Sequence, residues 1–254
     1  MKELWKYRHV VWNFAISDLK IKYRNSVLGF LWTFLEPLLL LTVLYVVFTN
    51  IFNSNIEQFP LYILLGIILW NMFSRGTKTG IGSIVSRKTI ITQIYIPKGL
   101  PALSSTITST FMLMFELIVL GIFMIVFQFV PSWTMLILGF AILLEFILVF
   151  GLSLPLSVAN VRYKDIAFIW QVIIQVGFFA TPIFYKLDIL PEMAQKILYF
   201  SPMVQIFNLA HDSVIYQKIP TTESFVMATI LTLGIFVICY MIFWKLKDRV
   251  IEGM

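Results

Sequence analysis

Of 254 residues, 59% are hydrophobic and only 13% charged, with a mean hydropathy of +0.90. A soluble domain carries roughly 25% charged residues, so this chain has too little polar surface to cover one core, and its apolar excess must face lipid. One cysteine, Cys239, inside the last apolar run, excludes an intrachain disulfide and any cysteine-based metal site of the usual spacing.

The charges punctuate the chain at membrane-sized intervals. None occurs in 37–56, 58–74, 99–115, 117–144, 146–161, 166–185 or 224–244. A spanning helix needs about 17–25 apolar residues, whereas a transmembrane barrel would show alternating segments of about ten. The expected fold class is therefore an all-α integral membrane protein with six transmembrane helices. It is read as a single transmembrane domain over 1–254: an interfacial segment to residue 29, a six-span region over 30–244 and a tail over 245–254.

In chain order, Lys2, Lys6, His9, Asn13, Ser17, Lys20 and Arg24 recur every three or four residues among Leu4, Trp5, Val11, Trp12 and Phe14. This is the pattern of an amphipathic helix lying in the headgroup plane. With no uninterrupted apolar region or small-residue cleavage site, the segment is expected to be retained, not removed as a signal peptide. The first span is expected over about Phe30 to Phe52, ended by Asn53-Ser54-Asn55. The second runs from about Pro60 to near Arg75, and Gly76 to Pro101 reads as a loop with room for a short helix. Val130-Pro131-Ser132-Trp133 divides spans three and four. Asn160 to Asp165 forms a tight polar turn, Ile166 to Tyr185 the fifth span, and Ser224 to Trp244 the sixth. Between them, apolar pieces bounded by Pro191, Pro202 and Pro220 are too short to cross, and predict two short re-entrant helices hinged at Ser201-Pro202.

With a cytoplasmic N-terminus, sixteen Lys and Arg residues fall on the cytoplasmic side and three, Lys186, Lys196 and Lys218, on the other. This asymmetry follows the positive-inside rule, and places both termini in the cytoplasm. Trp32, Trp133 and Trp244 near span ends fit the interfacial aromatic belt.

Glu36, Glu116 and Glu145 lie within apolar runs. An ionisable group at bilayer depth costs several kcal/mol, about 2.5–3.5 on insertion scales, and so faces a bundle interior or a watery path. These three, with Trp32 and Tyr45, are the channel-lining candidates. A proton-coupled carrier would pair such carboxylates with intramembrane histidine or cations, but His9 and His211 fall outside the expected spans, and His211-Asp212 reads as a solvated pair. No Gly-x-x-x-x-Gly-Lys-Ser/Thr sequence occurs. Thr77-Lys78-Thr79 lacks the phosphate-cradling glycine turn, so any ATP that drives this chain must be held elsewhere. The basic residues Lys20, Lys22, Arg24, Arg87 and Lys88 could grip a phosphorylated lipid headgroup or a partner; ordinary topology-setting charge explains most such residues singly.

The stretch from Asp18 to Phe52 resembles the entry of permease subunits of polysaccharide-exporting ABC transporters of the O-antigen and teichoic acid type. The residues that carry this are Tyr23, Arg24, Ser26, Leu28, Gly29, Leu31, Trp32, Pro37 and Leu38. Ile94-Tyr95-Ile96-Pro97-Lys98-Gly99-Leu100-Pro101 is similar to the family's cytoplasmic loop, with Gly99 where an acidic residue is common. Asn160 to Asp165 is similar to its Asn-x-Arg-x-x-Asp turn, and Thr181 to Tyr185 with Ser201-Pro202 to its outer segment.

The resemblance implies a non-enzymatic half-transporter in the cytoplasmic (inner) membrane. Two copies would form a channel, and two copies of a separate ABC ATPase would supply ATP and magnesium, with no cofactor, catalytic residue or metal on this chain and no nucleic acid as partner. Lys6, Lys20, Arg24, Arg87 and Lys88 would face the ATPase. The implied substrate is a glycan on a polyprenyl pyrophosphate, with Lys20, Lys22 and Arg24 the candidates to meet the pyrophosphate among the membrane lipids. A permease for a drug or lipid is the alternative within transport. A membrane-embedded transferase would need clustered Asp, His or Glu at one interface, and a nucleotide-independent channel would need no ATPase.

Overall fold

The computed structural model describes residues 7–24, 26–50, 58–93 and 96–247. Lys6, the turn at Asn53-Ser54-Asn55, Ile94, Tyr95 and residues 248–254 lie outside the described residues. The described residues form ten α-helices and no strand: α1 (Arg8–Tyr23), α2 (Trp32–Asn50), α3 (Phe59–Ser86), α4 (Lys88–Gln93), α5 (Leu100–Val126), α6 (Leu136–Arg162), α7 (Asp165–Ala180), α8 (Glu192–Tyr199), α9 (Pro202–Val214) and α10 (Thr222–Leu246). Three short 3-10 turns precede α2, α6 and α8.

Five helices are long and apolar enough to cross a membrane: α2, α3, α5, α6 and α10, two of them extended at the N-terminus by a 3-10 turn. The helix expected as the fifth span, α7, has 16 residues. At about 1.5 Å per residue it reaches roughly 24 Å, short of a hydrocarbon core of about 30 Å. It stops where Pro182 follows Thr181, because the residue before a proline is pushed out of the α region. The chain then runs buried through Thr181 to Phe184. Two short helices, α8 and α9, do separate at Phe200-Ser201, with Pro202 opening the second.

α3 is the axis of the bundle. Its most apolar stretch is 78% buried, against 22% for that of α2 and 17% for that of α10. It packs on α5 and α6, while α10 and α9 lean on α6, and α1 lies across α5. The apolar outer faces of α2 and α10 carry Leu39, Val43, Val46, Val237, Ile238 and Met241, surfaces suited to lipid or another apolar face.

The expected loop after Arg75 is a correction: α3 continues unbroken to Ser86. Gly76 and Gly80 are sites of close helix approach. A Cβ at Gly76 would stand 2.5 Å from the Val149 Cγ1 of α6, and one at Gly80 would collide with the Ser153 side chain. Small residues four apart let two backbones meet inside a membrane. Two threonines satisfy their hydroxyls within the helix: Thr77 donates to the Phe73 carbonyl at 2.8 Å and Thr79 to that of Arg75 at 2.8 Å. The same device carries the Ser/Thr-rich start of α5, where Thr106 donates to Ala102 at 3.0 Å and Ser109 to Ser105 at 3.0 Å. Such back-bonding satisfies these four hydroxyls inside their own helices in a dry environment.

α5 ends at Gln128 in the left-handed region, φ 52°. There Phe129 N–H donates to Met124 and Gln128 N–H to Ile125, the two bonds that close a Schellman motif. The turn motif is tied down as well: Asn160 donates through Nδ2 to the Ile81 carbonyl at 3.2 Å.

Candidate functional site

The amphipathic α1 turns its apolar side inward. Val11 and Ala15 are buried, His9, Asn13, Ser17 and Lys20 exposed, as the periodicity predicts. Trp12 meets Phe111 of α5 edge to face at 5.3 Å, and Thr108 donates to the Ala15 carbonyl at 3.3 Å. Asp18 pairs with Arg87 at the end of α3, whose guanidinium also lies 4.7 Å from the Phe14 ring centre. A buried guanidinium must have such a partner, and this one fixes the C-terminal half of α1 against the bundle.

Between α1, α3 and α5 the packing leaves a cavity of about 460 Å³. Lys22, Arg75 and Arg87 supply its cations, Asp18 its carboxylate, and Thr79, Ser86, Ser105 and Ser109 hydroxyl-bearing walls. Ile21 and Met112 give it an apolar side. Lys22 as a residue is exposed, but its ammonium folds inward to 3.5 Å from the Met112 sulfur, a weak acceptor. Desolvation there lowers its pKa from the ordinary lysine value. Arg75 lowers it further, while Glu36 and Glu116 oppose both.

Arg75 projects from the middle of α3. Its Nη2 donates to Glu116 Oε1 at 2.6 Å and lies 3.9 Å from Glu36 Oε2. Arg75 Nη1, Asn71 Nδ2 and Glu116 Oε2 are buried without hydrogen-bond partners. Glu145 on α6 is fully buried beside the Phe73 amide, yet no donor reaches either of its oxygens in hydrogen-bond geometry.

Of the residues singled out from sequence, Lys22 and Arg87 line this cavity, and Glu116 and Glu36 reach it through Arg75. Lys20, Arg24 and Lys88 are exposed and outside its lining. Glu116 and Glu145 sit in the bundle interior, whereas Glu36, Trp32 and Tyr45 are exposed on α2. Arg75 went unsingled because it stood at the expected end of a span, and its partner is 41 residues away. The solvated reading of His211 is a correction. It is 4% exposed, stacked at 3.8 Å on Tyr62, because α9 packs against the bundle instead of lying free. Among the described residues no three His, Cys, Asp or Glu side chains gather as a metal site.

The family model described as ABC-2 type transporter matches residues 10–215. The O-antigen export system permease protein RfbA of Myxococcus xanthus is 27% identical over 226 residues, covering 88% of this chain and 86% of that protein. The polysialic acid transport protein KpsM of Escherichia coli is 22% identical, with 78% of each chain covered. The capsule polysaccharide export inner-membrane protein CtrC of Neisseria meningitidis is 23% identical, covering 80% of this chain and 82% of its own.

Proposed function

This chain belongs to the ABC-2 type transporter membrane family, and on that premise we propose that it is the permease subunit of a polysaccharide exporter. Its substrate is a glycan carried on a polyprenyl pyrophosphate. Two copies form the conduit, with both termini in the cytoplasm, and a separate ATPase supplies the energy. The relatives' names support the glycan, since proteins of three different export systems, for O-antigen, polysialic acid and capsule, each align over 78% or more of this chain. The sixteen-to-three distribution of Lys and Arg supports the orientation.

The observation that carries the carrier-lipid part is the cavity behind α1. It sets three cations, Lys22, Arg75 and Arg87, against one lining carboxylate, Asp18, with an apolar wall beside them. A pyrophosphate on an isoprenoid tail has that combination of charge and apolar surface. Arg75 keeps one buried nitrogen without a partner, and a guanidinium offers a phosphate two parallel donors. Lys20 on α1 and Arg24 just past its end, both exposed, would draw the headgroup in, and Lys88 and Lys6 would meet the ATPase.

The test joins capture and binding. Affinity purification of the full chain in mild detergent should bring down an ABC ATPase, and deleting either gene should leave finished glycan inside the cell. In nanodiscs the chain should bind polyprenyl pyrophosphate more tightly than polyprenyl monophosphate, and K22M should weaken binding about tenfold. Export that persists without the ATPase, or equal binding of both lipids, refutes the reading.

A further inference from the structure

Tyr62 stands near the start of α3 and Arg87 just past its end. Twenty-five residues at about 1.5 Å each put them roughly 37 Å apart, so whatever surrounds Tyr62 is at the opposite end of the bundle from the basic cavity. A second cleft opens there, of about 440 Å³, within the roughly 300–1,000 Å³ of small-molecule sites. We propose that this cleft, between Tyr62, Asn208, Asp212 and Tyr216 on one side and Lys186 and Asp188 on the other, is a saccharide subsite. It rests on the glycan-export reading for its role, though not for its chemistry.

The chemistry of the walls selects the ligand. Lys186 and Lys218 line the cleft together with Asp188 and Asp212, so the formal charges cancel, and neither a free anion nor a free cation is favoured. The carboxylates only accept hydrogen bonds, the ammoniums only donate, and the Asn208 amide does both. A ligand that uses all of them must present many groups that donate and accept together, as the hydroxyls of a neutral sugar do. Tyr216 adds a ring for the apolar face of a pyranose, with the Lys186 ammonium 5.4 Å from the ring centre. A purely apolar ligand would strand this mostly polar lining.

The cleft is also held in shape before any ligand arrives. His211 forms its floor, stacked on Tyr62 at 3.8 Å, with Nε2 3.1 Å from the Tyr62 carbonyl. Burial lowers the His211 pKa to about 4, so near neutral pH the ring is uncharged and its Nε2 proton donates to that carbonyl. The Tyr62 hydroxyl donates to the Tyr185 carbonyl at 3.1 Å, and Lys218 N–H to the Asp212 carbonyl at 2.9 Å. A wall fixed by such contacts loses little entropy on binding.

The experiment uses the full chain in nanodiscs and saturation-transfer NMR with methyl glucoside, methyl galactoside, methyl mannoside and N-acetylglucosamine. At least one should receive saturation, and D188N and D212N should each cut the signal at least fivefold. Asp188 is exposed, so D188N leaves the packing alone, and unchanged thermal unfolding confirms it. Absence of transfer to all four sugars, transfer that both variants leave intact, or displacement of the sugar by inorganic phosphate overturns the subsite. Failure of binding in a chain whose deletion still blocks export overturns the subsite alone. Binding that survives in a chain whose deletion leaves export intact supports the subsite and removes the transport reading.

Discussion

Replacing Arg75 by methionine should expose how the cavity wall is held. The Arg75–Glu116 pair is 2.6 Å long, with side chains 13% and 0% exposed. At an effective dielectric of 20 the gross attraction is about 6 kcal/mol, most of it offset by taking both groups from water. Removal of one member of a buried pair costs about 3–5 kcal/mol, because the survivor keeps its desolvation without its partner. We therefore expect R75M to lower stability by about 3 kcal/mol. E116L should cost less, about 1–2 kcal/mol, since Arg75 retains Glu36 at 3.9 Å as a second carboxylate. The double variant R75M/E116L removes both charges, and should return to within about 1 kcal/mol of the parent. Equilibrium unfolding of the chain in mixed micelles with rising SDS, followed by circular dichroism, gives the three differences. A coupling energy of at least about 2 kcal/mol is expected. Additivity within about 0.5 kcal/mol would mean that the two side chains do not rely on each other, and the electrostatic account of the site would fail.

G80A should push α3 from α6 at Ser153 and cost about 1–3 kcal/mol, measured in the same micelle titration; S153G should restore most of it, and absence of rescue would refute the contact. D18A strands the buried Arg87 at a cost of about 1–3 kcal/mol, and trypsin should then cut at the exposed Lys20 and Arg24 several-fold faster as α1 loosens. Acid should act through His211. Its folded pKa of about 4 lies below the ordinary histidine value of 6.5, so the unfolded chain takes up a proton that the folded chain refuses. Its contribution is therefore whole above pH about 6.5 and is lost as pH falls through 6.5 toward 4, by an amount of order 3 kcal/mol. H211F should flatten that part of the stability profile, and an unchanged profile would sink the assignment.

Much of the helical order was legible because its cause is local. Charge-free runs longer than a bilayer is thick leave the backbone no option but helix, and the three-and-four spacing of Lys20, Asn13 and Ser17 marks the outer face of α1 whatever it packs on. The length of α3 was not legible. Gly76 to Ser86 has the composition of a loop, and only contact with Val149 and Ser153 of α6 reveals why those residues are small. The length of α7 is concealed for a related reason: a charge-free run continues to Tyr185, but Pro182 ends the helix before the run ends.

The candidate site divides along the same line. That Glu116 and Glu145 face the interior followed from the cost of a carboxylate in lipid, a property of one residue and its surroundings. That Arg75 answers Glu116 depends on where α3 meets α5. Once α3 is seen as one helix, the two clefts acquire a common frame. Its early turns give Tyr62 to the neutral cleft, and its later turns give Arg75, Thr79 and Ser86 to the basic cavity. Burial along most of that helix holds the two at a fixed separation. A substrate with an anionic headgroup and neutral sugars would meet its charge at one end of α3 and its hydroxyls at the other, so the helix whose length the sequence concealed is the element that relates them.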